Sequence, residues 1–60
     1  MNNLKEYRLK KELSQQEVAD KLKISVRQYQ NYEADIAEPK YRQAKKLAKI
    51  LGVKADKLFP

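Results

Sequence analysis

The 60-residue chain predicts an all-α fold of five helices, and three observations predict it. Apolar residues recur at three- and four-residue spacing instead of alternating, which is the period of a helix and not of a strand. One glycine and two prolines leave few of the punctuating residues that a meandering sheet needs. Two serines, Ser14 and Ser25, are each followed three residues later by Glu or Gln. That spacing marks a capping box at a helix start.

Each element follows from local chemistry. A first helix is expected over about residues 3–12, capped by Asn3 with Glu6, with Leu4 and Tyr7 on one face and Arg8 beside them. Ser14 with Glu17 opens a second helix over 15–22, whose inward stripe is Val18, Ala19 and Leu22. Ser25 with Gln28 opens a third over 26–33, with Tyr29 and Tyr32 turned inward. Pro39 interrupts the pattern, because proline drives the residue before it out of helical conformation. A fourth helix over 41–51 carries Ala44, Leu47, Ala48 and Leu51 at i, i+3, i+4, i+7. Gly52 is a natural stop for it. Val53, Leu58 and Phe59 are expected to fold a last short helix, about 55–58, onto the core. Residues 1–60 form one expected domain.

Composition narrows the function. With neither cysteine nor histidine, the chain has no disulfide framework and no zinc site of the usual kind. It also has no glycine-rich phosphate loop and no clustered carboxylate pair, so no enzyme activity, metal or cofactor is expected. No apolar run approaches the ~20 residues that span a bilayer. The opening MNNLKEYRLK carries charges where a signal peptide needs an apolar centre, so the cytosol is the expected compartment and a membrane is not a partner. Net charge is +6, from 14 Lys plus Arg against 8 Asp plus Glu, which favours a polyanion such as nucleic acid.

The informative feature is the pair of helix starts at Ser14 and Ser25. Helix two has room only for Gln15 to Leu22, which leaves Lys23 and Ile24 as a tight turn. Ala19 is small enough to admit a crossing helix, Ile24 plugs the turn, and Tyr29 packs from the far side. These offsets describe a helix-turn-helix. The run LSQQEVADKLKISVRQYQNYEADIAEP, residues 13 to 39, resembles the phage-repressor and Cro type of this motif, the XRE-like family. The resemblance continues through AKKLAKILGVKADKLF and back to LKEYR, and it implies a lambda-repressor-like bundle. Two positions depart from it: Lys23 and Asp35 stand where that family usually has glycine. Both are expected to be left-handed, which Asp tolerates and which costs Lys roughly 1 kcal/mol.

The resemblance also implies function. In the family, the outward face of helix three enters the major groove of double-stranded DNA. Here that face is expected to carry Val26, Arg27, Gln30 and Asn31, with Gln28 at its edge. Arg27 suits guanine, Gln28, Gln30 or Asn31 suit adenine, and Val26 suits a thymine methyl. Backbone contacts are expected from Gln15, whose position the family uses for phosphate, from Ser25, and from Lys40, Tyr41 and Arg42 at the start of helix four. Family members pair an Arg of helix one with a Glu ending helix three, which implies an ion pair between Arg8 and Glu33. Lys45, Lys46 and Lys49 are expected to form a solvated face.

A sequence-specific transcriptional regulator, a repressor before an activator, is therefore expected, bacterial or phage-encoded. The rival is a protein-interaction module on the same fold, such as an antitoxin or antirepressor, since fold alone does not prove DNA binding. Dimerisation is expected to be weak, or to occur only on DNA, through the end of helix four and Val53 to Phe59.

Overall fold

The computed structural model describes residues 2–60 and is helical, with no strand among the described residues. The order is α1 (Leu4–Lys10), α2 (Gln15–Leu22), α3 (Val26–Glu33), α4 (Tyr41–Leu51) and α5 (Ala55–Leu58). α2 packs on both α3 and α4, α1 lies against α3, and α5 folds back on α4. One core fills the space between them: Leu4, Val18, Ala19, Leu22, Tyr29, Tyr32, Leu47, Leu51 and Leu58. Each is an inward position of its own helix, so the 3.6-residue period translates directly into burial. Among the described residues no helix is long and apolar enough to cross a membrane.

Four of the five helices stop in the same way. Glu12, Lys23, Asp35 and Gly52 all have φ between 58 and 70°, the left-handed region. In each case the next residue sends its N–H back five positions: Leu13 to Arg8, Ile24 to Ala19, Ile36 to Asn31 and Val53 to Ala48. This bond satisfies a carbonyl that the helix end would otherwise orphan. After each left-handed residue comes an apolar one, and three of these (Leu13, Ile24 and Val53) pack against the core. Ile36 is the exception, with 75% of its surface exposed.

The structure corrects the expected first helix. α1 occupies Leu4–Lys10 and not 3–12, because the left-handed Glu12 ends it in the manner of the other three stops. The Asn3 side chain makes no cap bond to α1; it donates to the Lys57 carbonyl instead, at 2.9 Å. The Leu4 N–H is satisfied by Asn2 Oδ1 at 3.0 Å, while Asn2 Nδ2 donates to the Tyr32 carbonyl and to Asp35 Oδ1, both at 2.8 Å. The two asparagines thus tie the start of the chain to the end of α3 and to α5.

Candidate nucleic-acid interface

α3 is held at both ends and along its inner face. Its cap Ser25 accepts from the Gln28 N–H at 3.1 Å. The expected return arm of a second capping box does not form. The Gln28 side chain runs forward one turn and donates to the Tyr32 hydroxyl at 3.3 Å, which gives that buried phenol its partner. At Ser14 both arms are present: Glu17 N–H donates to Ser14 Oγ at 3.0 Å, and Ser14 N–H donates to Glu17 Oε1 at 2.8 Å. The difference is chemical, since a carboxylate accepts from a backbone N–H better than an amide does. Those capping bonds hold the Glu17 carboxyl below its ordinary pKa.

Behind α3 lies an ion pair. Arg8 Nε donates to Glu33 Oε2 at 2.6 Å, with the two side chains 9% and 8% exposed. Arg8 Nη1 also donates to the Leu13 carbonyl at 2.8 Å, so the guanidinium links the ends of α1 and α3 through the α1–α2 turn. Burial acts to raise the Glu33 carboxyl, but the bond from Arg8, then the proximity of the Tyr29 hydroxyl and the bond from Gln15, outweigh it and hold the pKa below the carboxylate norm. The bond to Glu33 raises the Arg8 pKa in turn. The Tyr29 hydroxyl is buried beside this pair without a well-formed hydrogen bond. Burial first, then Glu33, pushes its pKa well above that of a free phenol.

The network continues to the surface. Gln15 Nε2 donates to Glu33 Oε1 at 3.1 Å, and Gln30 Nε2 donates to Gln15 Oε1, also at 3.1 Å. The start of α2 therefore lies alongside the exposed face of α3. The N–H groups of Gln15 and Gln16 fall in the first turn of α2, where a helix leaves such groups without an intrahelical partner. Sequence reasoning missed these two bonds. They join residues 15 and 18 positions apart on different helices, and no local spacing signals them.

The expected base-reading residues divide. Arg27, Gln28 and Gln30 are exposed, and Asn31 is half-buried. Val26 was expected outward but is half-buried and packed against the core. It stands three residues before Tyr29, hence on the same helical face, and only its edge is left for a partner. Ser25 is exposed and Gln15 half-buried. At the start of α4, Lys40 is an exposed N-cap whose side chain makes no cap bond. Tyr41 is 78% exposed, and Lys45 Nζ stands 5.5 Å from its ring centre. Arg42 is exposed beside it. Lys40, Tyr41, Arg42, Lys45 and Lys46 line one shallow depression with Gln43 and, among the described residues, no carboxylate.

The family model described as Helix-turn-helix matches residues 4–58. Over 57 residues the chain is 43% identical to a protein named "Uncharacterized HTH-type transcriptional regulator YqaE" from Bacillus subtilis (strain 168), covering 95% of this chain and 49% of that protein. The chain thus spans about half the length of this curated relative. It belongs to the helix-turn-helix family.

Proposed function

We propose that this chain binds double-stranded DNA sequence-specifically, with α3 in the major groove, and acts in the cytosol as the DNA-binding domain of a transcriptional regulator, a repressor before an activator. The observation that carries the reading is the continuous polar surface made by Arg27 and Gln30 on α3 with Gln15 at the start of α2. Arg27 extends freely and has the bidentate geometry that suits guanine. Gln30 and Asn31 offer amides to adenine, Gln28 contacts the groove edge, and the exposed part of Val26 meets a thymine methyl. Gln15, Ser25, Lys40, Tyr41 and Arg42 grip the sugar-phosphate backbone and set the register of the helix. Two copies on half-sites ~34 Å apart would read a two-fold operator, held together weakly in solution and more firmly on DNA. No cofactor takes part.

Selection of bound duplexes from a random pool tests this directly. A consensus half-site is the expected outcome, with affinity falling steeply as salt rises, because each neutralised phosphate releases counterions. A pool that yields no consensus, together with salt-insensitive retention, would instead favour an interaction module built on the same fold.

A further inference from the structure

The α4–α5 side of the molecule carries a feature that the α3 face does not use, although its rim shares Arg42 with the proposed backbone contacts. Along α4 and the start of α5 runs an open groove of about 860 Å³. Its floor is apolar: Ala48, Val53 and Ala55, all half-buried. Its rim is cationic: Arg42, Lys45, Lys46, Lys49 and Lys54, all exposed. No Asp or Glu lines it among the described residues; Asp56, next to Ala55 in sequence, is outside the lining. Gly52 also lines the groove, and Lys11 Nζ stands 3.1 Å from where a Cβ on that glycine would be, adding a further cation from the turn after α1.

A solvated lysine face needs no floor, and an apolar groove needs no ring of one charge sign. The combination selects its occupant. A second copy of this chain related by a two-fold axis would set this cationic rim against its own equal, and like charges brought together oppose association, so pairing through the end of α4 and Val53 to Phe59 is weak at most. A phosphate backbone would neutralise the rim but leave the apolar floor without a partner. An amphipathic helix with aliphatic residues along one face and carboxylates on its flanks meets both parts of the groove. We infer that the α4–α5 groove is a docking surface for an acidic, amphipathic segment of a partner protein. This surface is separate from the α3 face and does not depend on that face reading DNA.

The test titrates the isotope-labelled chain with three probes, followed by backbone amide shifts. One is a helical peptide with Leu along one face and Glu elsewhere. The second has the same composition, scrambled so that the leucines share no face. The third is a random-sequence duplex. The amphipathic peptide should shift Ala48, Val53 and Ala55 and bind about tenfold more tightly than the scrambled one. Lys45→Glu with Lys49→Glu should weaken it about tenfold, whereas Lys10→Glu on α1 should not. Circular dichroism of each variant verifies the fold. The inference is overturned if the two peptides bind equally, if the amphipathic peptide fails to bind or shifts α3 instead, or if the duplex is what occupies Ala48 to Ala55.

Discussion

The segments Val18–Ser25 and Leu47–Lys54 are two versions of one local frame. VADKLKIS and LAKILGVK place a buried aliphatic, an alanine, a buried leucine, a left-handed residue and an apolar plug at identical offsets. In both, the plug returns its N–H to the alanine carbonyl, at 3.0 Å from Ile24 and 3.1 Å from Val53. Beyond the turn the two frames part. Ser25 caps a helix of 8 residues with a side-chain bond, whereas Lys54 offers no such bond and α5 ends after 4 residues. Ala19 is fully buried under α3, while Ala48 is half-buried and left as the floor of a groove. The turn alone does not present a polar helix. A cap, two full turns and a polar outer face tied to the core do, and only the first frame has them.

The strongest way to break this contrast is to cut the tie. Glu33→Gln leaves the Arg8 guanidinium buried without its charge partner, which should cost about 3–5 kcal/mol in thermal or denaturant unfolding. Lys49→Gln, on the second frame, should stay within about 0.5 kcal/mol of the parent. If both variants melt alike, α3 is not anchored through Glu33.

Binding supplies the next contrast. Arg27→Ala should weaken the selected duplex by about 1–3 kcal/mol and relax preference at one base pair, while random duplexes are little affected. Lys46→Ala should change specific and random duplexes by the same small amount. A uniform loss with Arg27→Ala would reduce it to a phosphate contact.

Acid provides a titration of the same anchor. The folded pKa of Glu33 is depressed, so its contribution to stability is complete above its unfolded value, roughly pH 4.3, and is lost as pH falls through the lower folded value. The parent should therefore lose stability more steeply than Glu33→Gln as pH falls below roughly 4.3, and the two unfolding curves should meet only once pH has passed the lower folded value. Parallel curves down to acid unfolding would contradict the depressed pKa.

These tests rest on features that the sequence exposed to different degrees. The bounds of α2 and α3 were legible because each has a serine cap, an apolar stripe and a stop within a few residues of one another, and those of α4 because its stripe runs between Pro39 and Gly52. The left-handed state of Lys23 and Asp35 was legible through the family resemblance, as was the pairing of Arg8 with Glu33. The left-handed Glu12 was not, since Glu is an ordinary helix former and its stop is set by Leu13 reaching the core. Nor was the inward lean of Val26. Its three-residue offset from Tyr29 was present in the sequence, but its place in the first turn of α3 made an outward reading natural. The Gln15 bridge between Glu33 and Gln30 depends on how two helices cross, and a one-dimensional pattern holds no angle.

The finest test returns to the two turns, which share a backbone and differ in side chain. Lys23 sits at φ 61° and Gly52 at φ 70°. A left-handed conformation costs a side-chain-bearing residue about 1 kcal/mol, and glycine escapes that cost. Gly52→Ala should therefore destabilise by about 1 kcal/mol, the contact with the flexible Lys11 tip adding little. Lys23→Gly relieves the same strain but enlarges the freedom of the unfolded chain and removes a cation from the C-terminal end of α2, where the helix dipole favours one. The expected net gain is smaller, about 0.5 kcal/mol, read as a rise in melting temperature. A fall would mean that the charge of Lys23 outweighs its strain, and that the first frame keeps lysine for stability where the second keeps glycine.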